Sequence, residues 1–354
     1  MDKIIFFTVL VLFPFGQLFK FGFLNLFDLA IFLMSLLTLL KRPNYPAWYR
    51  SFLAFIVFAL FSWILNYFVF GSTLFLTGLM YLLRLVSYSL IGVYVFNNYK
   101  NSKEKENLKI KLLTLSIYSA IFGWLQYFIY PDLTSLKYLG WDDHLLRMIG
   151  TFLDPTFLGL IFILGSVVAI EKNKSKSLLF LVVSIAFTYS RISYLIISIL
   201  LLFKKKYLAL LVFGLSILIL PKMIGEGTNL ARTASGVNKL ENYKQTIEII
   251  KKSPVVGVGY NNMCSARQFY LNDLNSNSHS CSGSDSSILF LIATTGVIGL
   301  ILFSNFILSV PRSKILIISF ITVLVHSFFA NSMFYPHIMF WMFTLIGLET
   351  EVNS

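Results

Sequence analysis

The sequence predicts an all-α integral membrane protein of about twelve transmembrane helices, N-in and C-in, with one large outer loop containing an amphipathic helix. Three observations predict it. Hydrophobic residues fill 57% of the 354 positions and charged ones 13%, so the polar faces that a soluble core of this length needs are largely missing. Apolar windows of about 17 to 25 residues recur from end to end, each long enough to cross a hydrocarbon core of ~30 Å. The basic residues gather in five short loops: Lys41-Arg42 to Arg50, Lys100 to Lys111, Lys172 to Lys176, Lys204 to Lys206, and Arg312 with Lys314. That is the bias of cytoplasmic loops, so the net charge of +13 orients the chain and does not mark a nucleic-acid binder.

Placing the five clusters inside gives spans over 4–19, 21–40, 51–70, 73–96, 112–130, 154–170, 177–189, 191–203, 207–221, 286–305, 315–330 and 336–349. No cleavable signal peptide is expected, because the run Ile4 to Phe19 lacks a small-residue cleavage site and leads straight into a second span. One tilted helix could cover Ser177 to Phe203. Two short helices turning at Thr188-Tyr189-Ser190-Arg191 are preferred, since they keep both flanking lysine groups inside and set Arg191 toward the outer face within protein.

Three regions follow: 1–221 with nine transmembrane helices, 222–285 as an outer loop forming a lid over the site, and 286–354 with three more helices. In the loop, Leu240, Tyr243, Ile247 and Ile250 fall close to helical spacing, predicting an amphipathic helix over 238–252. Ser253-Pro254 stops it and Gly257-Val258-Gly259 turns after it.

Asp28 and Arg84 fall inside apolar runs, both about 10 to 16 Å deep by helical rise, which allows an ion pair pinning two helices; a proton or substrate pathway would use the same residues, and the pin is preferred. Cys264 and Cys281 both lie in the outer loop. In an oxidising compartment a bridge closing about 16 residues is worth roughly 3 kcal/mol; in a reducing one they are two thiols, and the sequence leaves both open. Asp142-Asp143-His144 suits a solvated loop better than a metal site, because adjacent carboxylates converge poorly on one ion. Asp154 is expected to cap the helix begun by Pro155, and Asp285 the helix that follows it. His326 within a span needs a reason, and an interhelical hydrogen bond explains it as well as a functional role does.

Several motifs fall in order between Arg147 and Leu300. They are Arg147-x-x-Gly-Thr-Phe-x-x-Pro155, Thr188-Tyr-Ser-Arg191, Arg232, Ser253-Pro-Val-Val-Gly-Val-Gly259, and Asp285-Ser-Ser to Thr295-Gly-Val-Ile-Gly299. In these the chain resembles the O-antigen ligase and Wzy-type O-antigen polymerase superfamily; the N-terminal third matches only in hydropathy. The resemblance implies a GT-C-like, metal-independent glycosyltransferase of the bacterial cytoplasmic membrane, without cofactor. Its partners would be an undecaprenyl-pyrophosphate-linked glycan donor, a glycan acceptor and membrane lipid, with a chain-length regulator left open. Ligases of this family usually carry His-Asn where this chain has Ser284-Asp285-Ser286, which moves the expectation toward a polymerase.

The chemistry needs cations on a departing pyrophosphate and a base on the attacking hydroxyl. Arginine stays charged and grips phosphate oxygens through a planar fork, so Arg147, Arg191 and Arg232 are the candidates for donor binding. Each could instead snorkel to lipid headgroups. His279 and Asp285 are the nearest bases, His279 within a Ser- and Asn-rich run and Asp285 beside a helix start. A twelve-span transporter or flippase is the alternative of another class; it would show two similar six-span halves, and no such repeat is evident.

Overall fold

The computed structural model describes every residue except 1, 22–23, 71–74, 222–227, 231–232, 274–280, 282 and 352–354. Its helices are α1 Asp2–Leu12, α2 Leu26–Leu40, α3 Ala47–Phe70, α4 Phe75–Asn98, α5 Ser102–Ile129, α6 Pro155–Glu171 and α7 Ser175–Phe187. They continue with α8 Arg191–Phe203, α9 Tyr207–Leu218, α10 Ala234–Lys252, α11 Met263–Leu271, α12 Ser287–Ser309, α13 Lys314–His326 and α14 Pro336–Glu349. Two small antiparallel pairs complete the order: β1 Lys20–Phe21 with β2 Leu24–Asn25, and β3 Asp132–Leu133 with β4 His144–Leu145.

Among the described residues, α3, α4, α5 and α12 are long and apolar enough to cross a bilayer. Six other apolar helices are shorter, among them α7 and α8 with 13 residues and α9 with 12. Thirteen residues reach only ~20 Å, so these helices alone do not span ~30 Å of hydrocarbon. The 177–203 run is two helices, broken at Thr188-Tyr189-Ser190, with Tyr189 at φ 52°.

The first span departs from expectation. Helix α1 stops at Leu12, Pro14 sits in a tight 3-10 turn (Phe13–Phe15), and the β1–β2 pair intervenes before α2 starts at Leu26. Asp28 therefore lies in the first turn of α2, where a carboxylate faces unpaired backbone N–H groups. It is not at mid-span. Arg84 is ten residues into α4, ~14 Å along its axis.

The chain divides into two compact units. The first comprises Met1–Leu33, Lys100–Ala234 and Ser313–His326. Here α6 is the central helix, packed by α5, α7, α8 and α13, with Leu160 to Leu164 wholly buried. Asp154 starts it: the carboxylate accepts from the N–H groups of Thr156 (2.6 Å) and Phe157 (3.1 Å), with Pro155 next. At the other end of α5 and α6, Lys109 and Lys172 pair with Glu106 and Glu171, an ion cluster that satisfies a buried lysine.

The second unit comprises Met34–Tyr99, Ser235–Arg312 and Ser327–Ser354. Two helix pairs dominate it, α3 with α12 and α4 with α14. Phe52, Phe55, Phe303, Phe306 and Phe343 interlock, edge-on in four pairs and tilted between Phe306 and Phe343, with ring centroids 4.9 to 6.2 Å apart. Helices α4 and α14 cross at Gly92 and Gly347, where a Cβ on Gly347 would come within 2.3 Å of the Gly92 carbonyl. Helices in lipid associate by this kind of backbone approach.

Helix α10 forms where the amphipathic helix was expected, but a different face is buried. Leu240 and Ile247 are exposed, while Asn242, Thr246 and Ile249 are turned inward. Asn242 explains the choice: its carboxamide oxygen takes the backbone N–H of Asp285 at 2.9 Å and its amino group meets the Gly283 carbonyl. An apolar stripe predicts which residues avoid water, and in a bilayer-facing helix that stripe need not face the protein.

Cys264 and Cys281 are bridged. Non-reducing electrophoresis is expected to show a faster-migrating form, with alkylation of either thiol requiring prior reduction. Full alkylation of both in oxidised native membranes would exclude the bridge.

Candidate functional site

In the first unit, two of the sequence motifs meet. Arg147 is buried, and its Nε and one terminal nitrogen both donate to the Thr188 carbonyl at 3.3 Å. Gln126 on α5 holds the same loop, accepting from the N–H groups of Ile149 and Gly150 and donating to the Arg147 carbonyl. Met148 N–H donates to the Phe187 carbonyl, so the Arg147–Pro155 motif is stitched to the end of α7. The consequence is a fixed break at 188–190. Thr188 Oγ1 accepts from Ser190 N–H, Ser193 Oγ donates to Ser190 Oγ, and the Tyr189 hydroxyl reaches the Pro221 carbonyl. Arg191 follows as the first residue of α8, exposed.

The second unit joins two more motifs. Helix α12 is broken at Gly296 (φ 64°, ψ −169°), and the Ser253–Gly259 segment enters the break. Val297 and Ile298 donate their N–H groups to the carbonyls of Pro254 and Val255, and Val258 donates to Ala293. From α3, Ser62 Oγ donates to the Val256 and Thr294 carbonyls, and Asn66 donates to the Gly257 carbonyl. Gly296 is ten residues into α12, so irregular backbone of the outer loop lies ~14 Å along a spanning helix. Such backbone survives at that depth only when its polar groups are bonded within protein, as they are here.

Asp285 does not cap α12; Ser286 does, its hydroxyl accepting from Leu289 N–H. Asp285 stands one residue earlier, held through its backbone by Asn242. Its carboxylate bears on Tyr243, whose phenol is pushed up to about 12, by burial first and by Asp285 second. Tyr243 therefore stays protonated at neutral pH and donates to the Phe328 carbonyl at 2.6 Å. His326 is the last residue of α13, buried at its end and not mid-span.

Arg232 and His279 lie outside the described residues. Asp142 and Asp143 are exposed, whereas His144 is buried in β4. Sequence reasoning missed α11, the re-entrant course of 253–259 and the bonding role of Asn242. Two glycines flanking one valine were the available signal for the second; a turn is a sufficient account of them in the sequence alone.

Long apolar helices, polar backbone sealed at membrane depth and outward-facing Phe, Leu and Ile side chains define a multi-pass α-helical membrane protein. Residues 176–304 match the family described as O-Antigen ligase, which supports the O-antigen ligase and polymerase superfamily over a little more than a third of the chain. That family consists of glycosyltransferase-like ligases and polymerases of surface polysaccharide. The match holds α7 to most of α12, and with them four of the five motifs; the Arg147–Pro155 motif precedes it. No curated protein sequence matches the chain.

Proposed function

We propose that this chain polymerises lipid-linked oligosaccharide repeat units at the outer face of the bacterial cytoplasmic membrane. The observation that carries the reading is the family match over 176–304, which contains Arg191, Arg232, His279 and Asp285. The acceptor sugar hydroxyl attacks the anomeric carbon, the bond to undecaprenyl pyrophosphate breaks with its electron pair going to the departing diphosphate, and the hydroxyl proton passes to a base, for which Asp285 and His279 are the candidates. No metal is needed, because guanidinium groups meet the growing charge.

Arg191 supports this. A cation at a helix N-terminus is opposed by the helix dipole, so stability would favour an acidic residue there. A phosphate in front of α8 reverses that sign, since backbone N–H groups and the guanidinium then attract the same anion. Arg147 acts differently: bonded to the Thr188 carbonyl, it is a positioning residue for the break that presents Arg191. Residues 222–285 serve as the lid, with the Asn242 clamp setting Asp285.

A ligase is the second reading, favoured by the description of the matching family. Ser284-Asp285-Ser286, in place of the His-Asn usual in ligases, favours the polymerase. Deleting the chain from its host is expected to collapse the surface-glycan ladder to single repeats still attached to their acceptor. A full ladder left on undecaprenyl pyrophosphate would instead establish the ligase, and an unchanged ladder would refute both.

A further inference from the structure

A second polar site lies within the second unit, lined by residues to which the proposed reaction gives no role. Arg84 borders a cavity of about 50 Å3, with its guanidinium carbon 4.8 Å from the Tyr81 ring centroid. The walls include Tyr260, Asn261, Phe290, Asn331 and Phe334. Tyr260, Phe290 and Phe334 pack mutually with centroids 5.3 to 6.1 Å apart, so one side of the cavity is aromatic. Tyr260 and Asn261 end the re-entrant segment, Phe290 is in the first turn of α12, and Asn331 and Phe334 precede α14. Asn331 Oδ1 is buried and, among the described residues, accepts no hydrogen bond.

We infer that this cavity is a subsite for a hydroxyl-bearing edge of a sugar ring; the inference rests on the glycan-transferring function proposed above. Guanidinium groups only donate, and a buried carboxamide oxygen without a donor is costly. A phosphate could accept from Arg84 but would bring no donor to Asn331. A sugar hydroxyl brings both a lone pair and a proton, so it matches the two together. The aromatic wall suits the C–H face of the same ring. The volume admits roughly three to five oxygen-sized groups, enough for adjacent hydroxyls of a ring and too little for a whole sugar. The rest of the glycan stays outside.

The test uses the purified full-length chain in nanodiscs. The probes are methyl glycosides of the sugars in the host's surface polysaccharide, with inorganic pyrophosphate as parallel ligand, read by saturation-transfer NMR. At least one glycoside is expected to bind saturably, with affinity weakened about five- to tenfold in Asn331→Leu and in Arg84→Lys. The pyrophosphate response should not change. Arg84→Lys keeps the charge and stem, so it reports even if Asn331→Leu misfolds. The inference is overturned if no glycoside binds the wild type, if both variants bind as tightly as wild type, or if they lose pyrophosphate instead. An unchanged ladder on deletion would sink the polymerase reading and leave glycoside binding to stand alone.

Discussion

Arg232→Ala is expected to abolish visible polymer while protein level and membrane insertion stay unchanged. Arg232 follows α9 in the sequence, within the family-matched segment, and is expected to act at the membrane surface on the function proposed above. Charge on the pyrophosphate oxygens increases as the lipid departs, so a guanidinium aimed there favours the transition state over the ground state. Removing one such contact costs about 2.7 to 4 kcal/mol, a reaction roughly 10² to 10³ times slower. Arg232→Lys should rescue poorly because the fork is gone. Lys251→Ala, at an exposed position of α10, should be nearly silent. The measurement is the glycan ladder at matched expression, and a normal ladder from Arg232→Ala removes this arginine from the mechanism.

The largest effect on stability is expected from Gly296→Ala. At φ 64° and ψ −169° the backbone occupies a region essentially reserved for glycine, which costs an L-residue about 1 to 3 kcal/mol. A Cβ there would also come within 2.1 Å of the Val255 carbonyl oxygen, which is backbone fixed by the loop's own bonding. The loop would be expelled from the break, freeing polar groups of both strands inside the bilayer, so a loss of several kcal/mol is expected. Thermal unfolding in detergent, followed by size-exclusion chromatography, measures it. Gly214→Ala makes the same change in α9, where a Cβ would meet nothing within 4 Å, and should raise stability by about 0.5 to 1 kcal/mol. Equal melting of Gly296→Ala and wild type would refute the assigned role of the break.

Helices were legible where composition alone decides: α3, α4, α6 and α12 begin and end near the predicted bounds, and Asp154-Pro155 marked its own helix start. The N-terminal span was misjudged because a hydropathy window cannot separate an apolar helix from an apolar turn. Pro14, Gly16 and the β1–β2 pair interrupt Ile4–Leu40 without lowering its hydrophobicity. Depth suffered likewise, since counting from a span end presumed a helix that starts only at Leu26. In the candidate site the residue types were visible and their partners were not. Arg147 was seen as a cation, but its bond to the Thr188 carbonyl joins positions 41 apart in sequence. The Arg84 cavity draws on four separate stretches of chain, and no local pattern announces such a convergence.

The break in α12 bears on how far the family-matched segment is a portable unit. Its loop and its broken helix both fall within 176–304, yet the hydroxyl and the carboxamide that close their exposed carbonyls, Ser62 and Asn66, belong to α3 in the N-terminal third. That third resembles the family only in hydropathy, and still it supplies side-chain bonds to the Val256, Gly257 and Thr294 carbonyls. Grafted alone into another scaffold, the matched segment would lose the Ser62 bond at the Val256 carbonyl, while the Gly257 carbonyl would keep only its bond from Ser253. Its smallest transferable form is two pieces of chain, and an exchange between relatives must move α3 together with α12.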